Sequence, residues 1–255
     1  MNPVAFTIFG LEVRWYGILI ALGAVLAILF AEELIKRNPR LPDEAVIDMS
    51  IAVLPIGIIG ARLYYVLFEW EYYSQNTSEI FAIRNGGLAI HGGIIAGIIV
   101  IAIFCKVRKW NLLDVLDMVA CGVPLAQGIG RWGNFMNGEA HGGPTDLPWA
   151  IPVGGEMVHP TFLYESILDV GIFLFIYFYL SKKREFPGEL TAFYFIVYSI
   201  GRFFIEGLRT DSLYIGPLRI AQVVSLIGIF VGVMILIFGK KQKNGADYRL
   251  LPRQK

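Results

Sequence analysis

Charge is scarce in this chain of 255 residues: 17% is Asp, Glu, Lys or Arg, against 56% hydrophobic and 14% aromatic residues. Soluble globular domains carry about 25% charged residues, so the shortfall excludes the ordinary soluble classes and points to an integral membrane protein. A net charge of +1 hides a strong asymmetry, so the placement of charges along the chain is what matters; no nucleic-acid partner is expected. Cysteine is almost missing as well. Cys105 and Cys121 sit in or beside apolar runs without metal-ligand spacing, which argues against a disulfide framework or a zinc site. The three histidines, His91, His141 and His159, lie far apart without a HExxH-type pair, so neither a metal nor another cofactor is expected. No Gly-x-Ser-Gly segment and no intramembrane Gly-x-Gly-Asp pair occurs, which sets aside an intramembrane protease. A basic n-region is also absent before the first apolar run, which continues past Phe30, so no cleavable signal peptide is expected.

What the chain does have is long apolar runs. A bilayer core of about 30 Å needs roughly 20 apolar residues per helix, and such windows fall near 15–34, 46–68, 87–104, 112–130, 162–180, 189–208 and 218–238. The expected fold is all-α, a polytopic membrane protein with seven transmembrane helices. Span four is the least hydrophobic, holding Asp114, Asp117 and Gln127, and Asn111 three residues before Asp114 predicts its N-terminal cap.

Every lysine lies in the connections after spans one, three and five or near the C-terminus: Lys36, Lys106, Lys109, Lys182, Lys183, Lys240, Lys241, Lys243 and Lys255. By the positive-inside rule those segments are cytoplasmic, so the N-terminus is expected outside and the C-terminus inside. One transmembrane domain is expected over 1–239, with an outward Gly-rich loop at about 128–161 and a polar cytoplasmic tail over 240–255, loosely ordered and touching anionic lipid.

The basic residues left on the outward side are all arginines: Arg14, Arg62, Arg84, Arg131, Arg202, Arg209 and Arg219. A guanidinium presents a planar fork of donors that grips phosphate or carboxylate in two places, whereas an ammonium is a hydrated point charge. An anionic headgroup of the outer leaflet is the natural partner. Arg14, Arg84 and Arg219 also fit plain interfacial snorkelling. Arg62 and Arg202 sit inside apolar helices, where ionisable side chains turn to the bundle interior or a wet cavity.

Tyr198, Arg202, Glu206 and Arg209 are spaced four, four and three, which keeps them on one helical face. An isolated Arg202–Glu206 pair would be as well explained by mutual neutralisation; four polar residues in a stripe favour a site. Span three opens on GGLAIHGGIIAG, residues 86–97, where Gly93 and Gly97 form a small-xxx-small pair. Two roles are open to His91: a helix-start cap, or a general base.

After span four the chain reads GIGRWGNFMNGEAHG, residues 128–142, where glycines permit positive φ and close backbone approach and two asparagines add neutral donors and acceptors. Gly130-Arg131-x-Gly133-Asn134-Phe135-x-Asn137-x-Glu139-x-x-Gly142 resembles the signature of the bacterial phosphatidylglycerol–prolipoprotein diacylglyceryl transferases. Trp15-Tyr16-Gly17, Gly86-Gly87-x-x-x-His91-Gly92-Gly93, His159-Pro160-Thr161-x-Leu163-Tyr164-Glu165 and Tyr198-x-x-x-Arg202-x-x-x-Glu206-x-x-Arg209 resemble further blocks of that family. Ala89 stands where some members carry serine.

The resemblance implies a membrane transferase that moves diacylglyceryl from phosphatidylglycerol to the lipobox cysteine of a prolipoprotein signal peptide. It implies an active site toward the outer leaflet of the bacterial cytoplasmic membrane. His91, Arg131 and Arg202 would be catalytic; Arg131, Arg202, Asn134, Tyr16 and Gly92 would bind phosphatidylglycerol. Glu139, Gly142, Tyr198, Glu206, Arg209 and Asp117 would support the site, with Glu139 and Glu206 holding arginines. The alternative is a secondary transporter of a small anionic solute, although the polar set gathers at one membrane face rather than near the midplane.

Overall fold

A computed structural model describes residues 2–83, 86–241 and 248–251. Arg84, and Lys243, Arg253 and Lys255 of the expected tail, lie outside the described residues. Seven helices among the described residues are long and apolar enough to cross a membrane: α1 (Trp15–Ile35), α2 (Ala45–Phe68), α3 (Ile90–Arg108), α4 (Leu112–Asn137), α5 (Thr161–Lys183), α6 (Glu189–Leu208) and α7 (Ile220–Lys241). Large apolar side chains such as Ile51, Leu67, Phe204 and Phe230 are exposed on them, as expected where lipid is the solvent. α4 is the most buried of the seven. Half of it faces protein, which accommodates Asp114, Asp117 and Gln127; the span of lowest mean hydropathy is α6 rather than the expected span four.

Among the described residues three short β-hairpins supplement the helices. They pair Val4–Ile8 with Leu11–Arg14, Ile151–Val153 with Glu156–Val158, and Tyr214–Ile215 with Leu218–Arg219. The turns Phe9-Gly10 and Gly154-Gly155 hold two successive residues at positive φ, the geometry whose twist matches antiparallel strands.

The chain divides into two compact units, Met1–Pro39 with Leu116–Lys255, and Arg40–Val115. In the second, α2 and α3 approach backbone to backbone. A Cβ on Gly93 would stand 3.3 Å from the Gly57 carbonyl oxygen, and one on Gly92 would collide with the Gly60 carbonyl. The small-residue seam is therefore Gly57, Gly60, Gly92 and Gly93, while Gly97 makes only ordinary contact with Val53. Arg62 is buried in this unit and donates to four backbone carbonyls, those of Glu79, Ile80, Gly86 and Gly87, at 2.6 to 2.9 Å. It clamps the connection between α2 and α3. At the other end of the unit, the Asn111 side chain accepts the Leu113 and Asp114 amides at 2.9 and 3.2 Å, the cap expected of it. Asp114 takes a bidentate contact from Arg40 at 2.9 and 3.1 Å.

In the first unit α1 and α4 run antiparallel with small residues at their crossing points. Added Cβ atoms on Gly23, Gly130 and Gly133 would come within 3.1 Å of Ala126, 3.2 Å of Ile20 and 2.6 Å of Tyr16. α4 also binds α5 through Ser166, which gives its hydroxyl to the Gly128 carbonyl at 2.9 Å and receives the Trp132 indole N–H at 3.1 Å. These contacts correct the loop expected from residue 128. The stretch GIGRWGNFMN is the last part of α4, and the loop begins at Gly138, with φ +72°. Glycine weakens an isolated helix by about 1 kcal/mol per residue, but here it admits the neighbouring helices, and packing overrides propensity.

The tail also departs from expectation. Residues 248–251 are docked: Arg37 gives Nε to the Leu251 carbonyl at 2.9 Å, the Leu251 amide returns to the Arg37 carbonyl at 2.7 Å, and Leu250 is buried.

Candidate active site

The end of α4 carries the polar half of the site. Arg131, Asn134 and Tyr16 meet there, because Gly133 lets the Tyr16 ring lie against the helix. Asn134 and Asn137 both donate to Glu139 Oε1, at 3.0 and 3.1 Å, and the Glu139 amide donates to the Asn134 carbonyl at 3.0 Å. Glu139 therefore closes the C-terminal turn of α4 through asparagines. The hydrogen bonds to its side chain come from these two amides rather than from an arginine.

The arginines are held by another acid. Glu165, on the second turn of α5 and fully buried, accepts a hydrogen bond from Arg202 Nη1 at Oε1 (2.7 Å) and forms ion pairs with Arg131, whose Nη2 lies 2.5 Å from Oε2 outside hydrogen-bond geometry, and with Arg209, whose Nη1 lies 3.5 Å from Oε1. Arg202 also donates to Glu206 Oε2 at 2.5 Å across one turn of α6, as the spacing of the stripe requires. Tyr198 is an electrostatic neighbour of Arg131 and Glu165. Arg131 of α4, Arg202 of α6 and Arg209 just past α6 thus bring three guanidiniums onto one carboxylate of α5. Arg131 and Arg202 keep 21% and 14% of their side chains exposed, which leaves donors able to meet an anion from outside the cluster.

A folded-back arm braces Arg209. Gly142 gives its amide to the His159 carbonyl at 2.8 Å and Gly143 gives its own to the Leu208 carbonyl at 3.0 Å. A Cβ on Gly142 would come within 2.7 Å of the His159 Cβ and 2.9 Å of the Leu208 oxygen, so this position needs glycine for close approach. Arg209 ends α6 in extended geometry and makes a bidentate pair with Asp211 at 2.9 and 2.7 Å. Those hydrogen bonds hold the Asp211 carboxyl below the usual carboxylate range, so the pair persists to more acidic pH than a free aspartate would allow.

The profile of the prolipoprotein diacylglyceryl transferase family matches residues 3–238. A phosphatidylglycerol–prolipoprotein diacylglyceryl transferase of Clostridioides difficile is 54% identical over 96% of this chain and 98% of its own length. Enzymes of the same name from Finegoldia magna and Clostridium novyi are 51% and 49% identical over 97% and 98% of this chain and 99% and 100% of their own. The chain belongs to the prolipoprotein diacylglyceryl transferase family. It is a multi-pass membrane protein and a transferase, and the transporter alternative finds no support among these relatives.

Within this member of the transferase family, Tyr16, Arg131, Asn134, Glu139, Gly142, Tyr198, Arg202, Glu206 and Arg209 all fall in one compact unit, around the end of α4 and the ends of α5 and α6 that adjoin it. His91 and Gly92 belong to the other unit. His91 is in the first turn of α3, exposed, its ring centroid 6.1 Å from that of Tyr64; the N-cap of that helix is Ala89. Gly92 is buried in the α2–α3 seam.

Asp117 lies at the opposite end of α4, fourteen residues or about 21 Å along the helix from Arg131. It accepts from Arg184 Nε at 2.7 Å, from the Gly188 and Thr191 amides at 2.7 and 2.8 Å, and from the Thr191 hydroxyl at 2.8 Å. It caps the start of α6 from a neighbouring helix. Glu165, in contrast, closes the block at residues 159–165, to which the sequence alone attaches no site role. The signal was available: Glu165 and Asp169 are two acids four residues apart inside an apolar span, and intramembrane acids require partners.

Proposed function

We propose that this chain transfers the diacylglyceryl group of phosphatidylglycerol to the thiol of a lipobox cysteine in a prolipoprotein signal peptide, forming a thioether and releasing glycerol 1-phosphate. The observation that carries this reading is the convergence of Arg131, Arg202 and Arg209 on the buried carboxylate of Glu165 in a chain of this family. In the reaction a sulfur–carbon bond forms at the glyceryl carbon, the carbon–oxygen bond breaks, and its electron pair passes to the phosphate. Fixed donors aimed where that charge develops lower the barrier without reorganising during the step. Arg131 and Arg202 would take the phosphate, with Asn134 and Tyr16 orienting the headgroup and Glu206 fixing Arg202. The arginine-only end would face outward, giving an active site at the outer leaflet of the bacterial cytoplasmic membrane with the N-terminus outside.

A thiol of pKa about 8.5 is mostly protonated near neutrality, so the proton needs an acceptor. His91 is assigned that role on the strength of its Gly-rich setting at an exposed helix start. Purified His91→Ala in phosphatidylglycerol liposomes is expected to lose about 10²- to 10⁴-fold in thioether formation on a lipobox peptide, and a near-normal rate would end the base assignment.

The reaction itself is tested by release of glycerol phosphate from phosphatidylglycerol against phosphatidylethanolamine liposomes, with and without the peptide. Release with phosphatidylglycerol, dependent on the peptide thiol, is the expected result; equal rates with both lipids, or release without thiol, would sink the assigned reaction.

A further inference from the structure

Asp169 sits on α5 one turn further into the span than Glu165. It is fully buried, and neither of its carboxyl oxygens has a hydrogen-bond partner among the described residues. Its electrostatic neighbours are Arg131, Glu165 and Arg202, joined on α6 by Tyr194 and Tyr198. On the α4 side it closes against Gly128, where an added Cβ would stand 3.3 Å from the Asp169 Cβ. Polar groups buried to this degree almost always have a donor or acceptor. One nearby donor is already committed: Tyr194 gives its hydroxyl to Gln127 at 2.7 Å. Two empty acceptors beside two arginines complement a ligand that carries an anion and hydroxyl donors together.

Resting on the function proposed above, we infer that Asp169 accepts hydrogen bonds from the hydroxyls of the phosphatidylglycerol headgroup and so selects a phosphate that bears a polyol. The rise from Glu165 to Asp169 is roughly 6 Å, a gap that a three-carbon alcohol on the phosphate spans once Arg131 and Arg202 hold the anion. A polyol brings donors without charge. An ethanolamine head would bring a fourth cation beside Arg131, Arg202 and Arg209 and meet their repulsion.

The test compares phosphatidylglycerol with phosphatidylpropanol of the same acyl chains, a lipid with the same phosphodiester but no headgroup hydroxyls, in liposomes with a lipobox peptide. Wild-type protein is expected to favour phosphatidylglycerol in kcat/KM by about 10- to 100-fold, the range of one or two hydrogen bonds to a carboxylate. Asp169→Leu, with no acceptor, is expected to bring that ratio close to one, chiefly by lowering the phosphatidylglycerol rate. Asp169→Asn keeps one acceptor oxygen and is expected to retain part of the ratio. A ratio unchanged in Asp169→Leu, a loss equal for both lipids, or a wild type indifferent to the hydroxyls would overturn the inference. Failure of the wild type to transfer from phosphatidylglycerol at all would instead remove the proposed function, and this assignment with it.

Discussion

Replacing Glu165 with alanine is expected to lower diacylglyceryl transfer by about 10³-fold and to reduce thermal stability in the same protein. The carboxylate is buried and receives Arg131, Arg202 and Arg209 at 2.5, 2.7 and 3.5 Å. Without it, three guanidiniums keep Glu206 and Asp211 as ion-pair partners, with Asp169 as a further acidic neighbour one turn along α5. Breaking a buried ion pair from one side typically costs about 3–5 kcal/mol, because the partner charge stays buried and uncompensated. The rate effect has a separate origin. Each fixed donor to a developing oxyanion is worth about 10²–10³ in rate, and a displacement near 1 Å can cost about 10²-fold. Glu165 sets the position of two such donors on different helices, so its loss displaces both. Glu165→Gln keeps the shape and one acceptor oxygen, and its activity is expected to lie between wild type and alanine. Thioether formation and thermal unfolding, measured on the same preparations, check the pair of effects. Transfer within threefold of wild type in Glu165→Ala would show that the arginines keep their places without it.

The helices were largely legible because lipid imposes a length and a composition on anything that crosses it. All seven spans lie close to the apolar windows, and the Asn111 cap is where its spacing puts it. The extension of α4 through GIGRWGNFMN was not, since glycine and asparagine favour turns in isolation and only the neighbours α1 and α5 show why glycines stand there. The polar stripe on α6 was readable from the 3.6-residue period as far as Glu206, whereas Arg209 reaches Glu165 from an extended residue beyond the helix. What periodicity cannot express is convergence between helices. Arg62 and Arg202 look alike in sequence, each an arginine inside an apolar helix. One closes on four loop carbonyls and the other on two carboxylates. Partner identity depends on which elements pack together, and one helix's pattern carries no information about the next.

Asp117 brings that lesson to a measurable case, because the resemblance places it in support of the site while its contacts lie at the other end of α4. Asp117→Ala is expected to lower stability by about 3–5 kcal/mol while leaving the KM for phosphatidylglycerol of the remaining folded protein within about twofold. The first half follows from its four hydrogen bonds and complete burial. Removing the carboxylate takes from Arg184, itself fully buried, one ion pair at 2.7 Å. It also strips the start of α6 of its acceptor, and Gly188, the N-cap residue, offers no side-chain replacement. The second half follows from distance, since coupling over about 21 Å of helix reaches Arg131 only if α6 shifts as a body. Unfolding measured beside lipid-dependent kinetics separates the two: a large rise in KM at unchanged thermal stability would place Asp117 in the binding site. A lower unfolding temperature with intact KM would make it the residue that seats α6, and hence the one that sets the height at which Arg202 meets Glu165.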